Sequence, residues 1–168
     1  MRMIRNNTIS EYSCNPIEVI DQVLEANKTM IKKNHVNVEF IYPAELKKYA
    51  LIKANELADI IDNSVVNAVK SFKEKINCSI IIEVKWVAPK FRITIMNNGE
   101  EISIENKEKI FEKGFSTLSS SGFGLFNSRN ILIKYGGRLI LQSSTSQWTN
   151  FLIELNEGYI NETSYSDN

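Results

Sequence analysis

Leu57-Ala58-Asp59-Ile60-Ile61-Asp62-Asn63-Ser64-Val65-Val66-Asn67-Ala68-Val69-Lys70-Ser71-Phe72 reads as a helix with two faces. Leu57, Ile60, Ile61, Ser64, Val65, Ala68 and Phe72 recur at helical spacing and form a stripe that packs against a core. Residues three and four apart are neighbours on a helix surface, so Asn63, Asn67 and Lys70 align on the remaining face. Asparagine is a poor helix former, because its side chain competes for backbone partners. Two of them, one turn apart in mid-helix, need a reason. Carboxamide oxygens suit a hard cation and an ammonium suits an anion, so this face fits a metal-bound polyphosphate. The alternative is a solvated helix face, with Glu56 and Asp59 upstream as ordinary surface charges.

Upstream of this helix, Asn15-Pro16-Ile17-Glu18 is a helix start: a capping residue, proline at the first helical position, and an acid in the first turn. The pattern Ile17, Ile20, Val23, Leu24, Met30, Ile31 predicts a helix to about Lys33. Val36 to Tyr42 alternates as a strand does, and Pro43 opens a connector with Leu46, Tyr49 and Ile52 that reads as a short helix. Downstream, Ser79–Val87 and Phe91–Met96 read as strands joined by a tight turn at Ala88-Pro89-Lys90. A short helix is expected over about Glu105 to Phe111, then a Gly/Ser-rich loop from Gly114 to Gly124. A helix from about Leu125 to Tyr135 ends at Gly136-Gly137, before strands Arg138–Ser143 and Asn150–Leu155. Hairpin-linked strands without strict strand–helix alternation predict a two-layer α/β sandwich. Its sheet is mixed and mainly antiparallel, with helices on one face, and the missing alternation argues against a doubly wound dinucleotide-binding domain. The expected division is an arm over 1–14, one domain over 15–156, and a polar, frayed tail over 157–168.

The 168 residues fit one domain, with 43% apolar and 24% charged residues. Lysine plus arginine equals aspartate plus glutamate at 20 each, so the charge points to neither nucleic acid nor an anionic membrane surface. The apolar runs are far short of a bilayer span, and the N-terminus lacks the apolar core of a signal peptide. A cytoplasmic setting follows as the expectation, with any membrane anchor belonging to a parent protein. Cys14 and Cys78 lack metal-ligand spacing and are expected to be reduced bystanders. The single histidine, His35, sits in a polar break and is expected in an exposed turn.

Two further segments carry chemistry. Asn97-Asn98-Gly99 follows the second hairpin strand. It is a strong turn signal, and equally a place where a polar side chain at a strand end reads a base edge while glycine lets the backbone approach. Gly114-Phe115-Ser116-Thr117-Leu118-Ser119-Ser120-Ser121-Gly122-Phe123-Gly124-Leu125 ends where a helix begins, and a helix N-terminus offers free N–H groups and partial positive charge to an anion. It lacks the Gly-Lys-Ser/Thr ending of a P-loop. A flexible surface loop is the other reading.

In this order the segments resemble the ATP-binding catalytic domain of bacterial sensor histidine kinases. That family lies within the superfamily that includes gyrase, MutL-type repair proteins and heat-shock chaperone ATPases. The resemblance covers about Asn15 to Asn156. Ile61–Lys70 looks like the asparagine box and Asn97–Ile102 the first glycine box. Lys109–Thr117 looks like the phenylalanine box, Gly122–Leu125 the second glycine box, and Tyr135–Leu139 the family's usual ending. The resemblance implies a histidine-kinase-type ATPase fold with ATP and Mg2+ as its cofactors. It implies that Asn67 ligates magnesium, that Asn63 arranges the ion or its waters, and that Lys70 touches phosphate. These three would be the catalytic residues. Asn97 would stand where an aspartate accepts from the adenine amino group. Phe111 and Phe115 would anchor the lid, and Gly122, Gly124 and Leu125 would form the phosphate-side turn. Gly99, Ile102, Ser116, Thr117 and Phe123 complete the nucleotide-binding set.

Two positions depart from the family pattern. Asn97 replaces the aspartate; its carbonyl oxygen can accept, but loss of the charge-assisted contact weakens binding by roughly 1–2 kcal/mol. Recognition fails if the amide is turned the other way. Glu101 stands at the second glycine of the first box, where a side chain crowds the pocket or alters the loop.

The resemblance also implies that the γ-phosphate goes to a histidine on a separate dimerisation domain or histidine phosphotransfer protein, and from there to a response regulator. His35 does not occupy that acceptor context, so the chain is not expected to phosphorylate itself. No nucleic-acid partner and no membrane contact of this segment are expected. Two alternatives stand beside the histidine kinase: a degenerate module that binds a partner protein without catalysis, and an anti-sigma-type protein-serine kinase. The latter tends to carry glutamate at the position of Asn63, as do the hydrolysing ATPases.

Overall fold

The computed structural model describes residues 5–73, 75–116 and 121–164. The long helix, α3, spans Ala54–Ser71 and buries Leu57, Ile60, Ile61, Ser64, Val65, Ala68 and Val69, so the apolar stripe is its core face. It lies on a five-stranded sheet built from β3 (Asn37–Ile41), β5 (Ser79–Val87), β6 (Lys90–Asn97), β7 (Arg138–Ser144) and β8 (Thr149–Asn156), in the order β3-β5-β6-β8-β7. Only the β3–β5 pair of this sheet is parallel, because the chain crosses over through α3 between those strands; the hairpin neighbours pair antiparallel. Strand alternation places Ile80, Ile82 and Val84 of β5 on one face with Phe91, Ile93 and Ile95 of β6 and Ile153 and Leu155 of β8. All are buried in the same core cluster as the α3 stripe. Helices α1 (Pro16–Ala26) and α4 (Gly124–Lys134) pack against α3. The architecture is the expected two-layer sandwich.

Three local expectations change. The helix expected to run to Lys33 breaks at Asn27 into α1 and α2 (Lys28–Lys33). The Asn27 amide donates to Val23 O at 3.0 Å and to Asp62 Oδ1 at 2.7 Å, so its side chain serves the end of α1 and a tertiary bond to α3. The connector after Pro43 forms no helix. Its end is β4 (Ala50–Leu51), paired antiparallel with β2 (Ser13–Cys14), and burial of Ala50 and Ile52 drives that extended docking. The segment before the Gly/Ser loop is two 3-10 turns, Ile104–Asn106 and Lys109–Phe111, rather than one helix. Short pieces close with i to i+3 bonds more readily than a full helix nucleates, and here they serve to bury Ile110 and Phe111.

The arm and the tail meet: β1 (Arg5–Ile9) pairs antiparallel with β9 (Ile160–Ser164), so strand backbone extends into the segment that composition reads as frayed. His35 sits exposed in the turn after α2 with φ 52°, and Cys14 and Cys78 are both free and buried. Among the described residues no helix is long and apolar enough to cross a membrane.

Candidate functional site

α3 presents Ser64, Asn67, Ala68 and Ser71 to a cavity floored by Ile95 and Phe151 of the sheet. Asn97, Glu100, Glu101, Ile102 and Thr149 line it together with Ile110, Phe115, Ser116, Gly122, Gly124 and Leu125. The three sequence segments that carried chemistry therefore converge on one space.

At one end stands Asn97, the last residue of β6, only 5% exposed. Its Oδ1 accepts from Gly99 N–H at 3.0 Å and lies 3.2 Å from Ser71 Oγ. Gly99 is required there: a Cβ would stand 1.9 Å from Ser71 Oγ. Glu100 N–H donates to Ser71 O at 2.9 Å, which ties this loop to the end of α3. Asn98 holds the turn from outside, accepting from Ser79 N–H at 2.8 Å and donating to Asn77 O at 2.9 Å. Thr149 is the β8 residue opposite Asn97. Its hydroxyl lies 2.6 Å from Ser144 Oγ, which accepts from Ile102 N–H at 2.8 Å.

The other end is the start of α4. Phe123 precedes Gly124 as the cap residue, and among the described residues no side chain caps the first turn, which leaves its N–H groups facing an anion's approach. Gly124 lies against Asn63: a Cβ there would stand 3.3 Å from Asn63 Oδ1. Gly114 N–H donates to Gly122 O at 3.1 Å and closes the stem of the Gly/Ser loop. Gly122 has φ 71°, and a Cβ on it would meet Gly114 C at 2.5 Å, so both conformation and space demand glycine. α4 is tied to α3 through Glu56, which accepts from Lys134 at 2.7 Å and from the Tyr135 hydroxyl. The Lys134 and Tyr135 donors hold the Glu56 carboxyl below its usual range.

From Asn63 to Ser71 α3 advances eight residues, about 12 Å at 1.5 Å per residue. The carboxamide at one end and the uncapped helix start at the other are therefore separated by roughly the base-to-phosphate length of a nucleotide.

Of the candidate residues, Asn67, Asn97, Ile102, Phe115, Ser116, Gly122, Gly124 and Leu125 line this cavity. Asn63 borders it through Gly124, and Gly99 supports Asn97 from behind. Lys70 is exposed on α3, and Phe123 is 41% exposed; neither is a lining residue. Phe111 is buried in the core with Arg129 over its ring at 4.9 Å. Thr117 lies outside the described residues. Glu101 lines the cavity from an exposed position. Sequence reading missed Ser64, Ala68 and Ser71, although their spacing from Asn67 puts them on adjoining turns of the same helix. It also missed Ile95, Glu100, Ile110, Thr149 and Phe151, whose places depend on strand register and loop docking.

Among the described residues no group of three or more His, Cys, Asp or Glu side chains is placed to hold a metal ion. The half-buried Asn67 carboxamide, facing the cavity near an anion-attracting helix start, instead fits a hard cation that arrives with phosphate oxygens as its other ligands.

Comparison with known proteins identifies the family and the fold. The profile of a family described as histidine kinase-, DNA gyrase B-, and HSP90-like ATPase matches residues 52–158. A probable C4-dicarboxylate sensor kinase of Halalkalibacterium halodurans is 30% identical over 108 residues, which are 62% of this chain and 20% of that protein. The chain thus spans about a fifth of that relative's length. The catalytic domain of the histidine kinase ThkA superposes with TM-score 0.77 at 24% identity, covering 94% of this chain and 97% of that one. ThkA in complex with the response regulator TrrA gives TM-score 0.74 at 25% identity, covering 91% of this chain and 42% of that one.

Proposed function

The chain belongs to the family of histidine kinase-, DNA gyrase B- and HSP90-like ATPases, and on that premise we propose that it is the catalytic domain of a sensor histidine kinase. It binds a magnesium–nucleoside triphosphate, ATP by family, and passes the γ-phosphate to a histidine on a separate dimerisation or phosphotransfer domain. The observation that carries this reading is the single cavity with a buried carboxamide at its base end and an uncapped helix start about 12 Å away.

In this reading Asn97 and the Ile95–Phe151 floor hold the base. The first-turn N–H groups of α4, with Gly122 and Gly124 letting the phosphates come close, hold the triphosphate. Asn67 offers its oxygen to the ion, Asn63 orders the ion's waters from beside Gly124, and Lys70 reaches over the edge to phosphate. Magnesium supplies charge neutralisation of the phosphates. Phe115, half-buried at the stem of the Gly/Ser loop, anchors the lid. The chain's contribution is positioning and electrostatics, which suffices for phosphoryl transfer when the partner histidine is the nucleophile. Asn63 is no general base, which argues against efficient hydrolysis and against a serine-kinase role. That ThkA was crystallised with a response regulator supports the same relay for a parent of this chain.

The test is calorimetric titration with non-hydrolysable purine nucleoside triphosphate analogues, with and without magnesium. Magnesium-dependent binding that Asn67→Ala abolishes without lowering the melting temperature supports the reading. No binding at millimolar nucleotide sinks it and leaves the partner-binding, non-catalytic alternative.

A further inference from the structure

The five-stranded sheet ends in two edges of different kinds. β7 carries a bulge between Leu141 and Ser143, which bends its edge away from regular pairing. β3 is regular, and among the described residues it pairs only with β5. Asn37 N–H donates to Cys78 O at 2.8 Å, so in this parallel ladder the backbone groups of Asn37, Glu39 and Ile41 turn toward β5. The N–H and C=O groups of Val38 and Phe40 turn outward, with no strand beside them among the described residues. The Val38 and Phe40 side chains line a groove that Leu24 of α1 and Ile31 of α2 also line. The charges around this groove balance, Asp21 and Glu25 against Lys28 and Lys32, and Glu25 pairs with Lys28 at 2.8 Å. An open strand edge beside an apolar groove lets a peptide add a strand and seat alternate side chains.

The other face of β3 selects among such peptides. Glu39 is exposed there and makes no ion pair among the described residues. A second copy of the chain does not suit this edge. The antiparallel register that joins both outward residues pairs Val38 with Phe40 of the copy, and Phe40 with its Val38. That register sets Glu39 directly against Glu39 in the close, non-hydrogen-bonded pair, where like charges oppose association. Glu39 therefore guards the edge against self-pairing, and the same carboxylate favours a foreign strand with a cation at that position. We propose that the β3 edge docks an extended segment of another protein in which a lysine or arginine stands between two apolar residues. Its backbone pairs with Val38 and Phe40, its apolar side chains enter the groove against Leu24 and Ile31, and its cation faces Glu39. The site stands apart from the nucleotide cavity, with which the groove shares no lining residue.

The probe is a set of fluorescein-labelled synthetic peptides about nine residues long, with arginine at the centre and valine, isoleucine or phenylalanine on both sides of it. They are titrated with the whole chain by fluorescence polarisation. The expected result is saturable binding below millimolar concentration, with NMR shifts at the Val38 and Phe40 amides and at the Leu24 and Ile31 methyl groups. Glutamate in place of the central arginine is expected to weaken binding by about fivefold or more. Glu39→Lys, at an exposed position, is expected to keep the melting temperature and reverse the preference, so that the glutamate-centred peptide binds better. Absence of saturable binding at millimolar concentration overturns the proposal. So do equal affinities for the arginine- and glutamate-centred peptides, and shifts that fall away from β3. Concentration-dependent shifts at Val38 and Phe40 without peptide also overturn it, because a second copy then fills the edge.

Discussion

Gly99 and Ser71 occupy space that admits no side chain between them: a Cβ on Gly99 would lie 1.9 Å from Ser71 Oγ and 2.8 Å from Ser71 Cβ. The contact fixes the height of the loop against the end of α3, and with it the aim of Asn97. Gly99→Ala is expected to cost about 1–3 kcal/mol in urea unfolding, because overpacking forces the backbone to shift. Ser71→Ala in the same chain is expected to recover part of that loss, since it removes the nearer atom and leaves the farther one. The two substitutions share one contact, so a double-mutant cycle should show them strongly non-additive. Additive costs would mean that the loop relaxes away from α3.

Gly122→Ala acts at the other end. The residue has φ 71°, and its new Cβ would meet Gly114 C at 2.5 Å and Phe115 O at 2.6 Å. All three belong to the stem of the Gly/Ser loop, where Phe115 packs against the edge of the core. Global stability is expected to fall by about 1–3 kcal/mol from the local strain, while nucleotide affinity falls by about tenfold or more because the phosphate-side turn is displaced. Unfolding midpoints and titration calorimetry on the same preparation separate the two effects. A large loss of stability with unchanged affinity would contradict the assignment of this turn to the ligand.

Much of this site was legible because its parts sit on regular elements. The stripe from Leu57 to Ala68 is read from helical spacing alone, and that spacing also sets Asn63 and Asn67 on the face that borders the cavity. The Asn97–Thr149 pairing was not legible, since a strand's register depends on the whole hairpin and on the bulge beyond it in β7. The break at Asn27 depends on Asp62, thirty-five residues away, and no local pattern announces it. The amide sense of Asn97 depends on a backbone N–H two residues on, and only the folded turn shows it.

Cys14 offers a readout of native burial. It is 5% exposed, and burial first, then the charge of Glu18, pushes its thiol up to about 12. At pH 8 its thiolate is scarce and shielded, so native protein is expected to resist iodoacetamide at this position while urea-unfolded protein is alkylated within minutes. Peptide mapping by mass spectrometry distinguishes Cys14 from Cys78. Rapid native alkylation of Cys14 would show that the β2–β4 pair opens readily.

Acid should destabilise the fold through two carboxylates. Glu154 is buried on β8 and accepts from Arg138 and, at 3.1 Å, from Arg92; these contacts, Arg138 first, hold its carboxyl below the usual 4.5. Glu56 is lowered in the same sense by Lys134 and Tyr135. A carboxyl depressed in the folded state contributes stability that is fully present above its unfolded value. That stability is lost as pH falls through the folded value, where the native state must take up a proton it holds less well than the unfolded chain. The loss should therefore begin near pH 4.5 and deepen below it, with little change between pH 6 and 8 from these groups. Glu154→Gln is expected to cost about 1 kcal/mol at pH 7, a modest figure because both arginines are about half exposed and well solvated. The same variant should lose less than the unaltered protein between pH 5 and pH 3, measured by urea unfolding at each pH. Parallel stability curves for the two proteins would show that Glu154 titrates alike in the folded and unfolded chain, against the geometry of its two arginine partners.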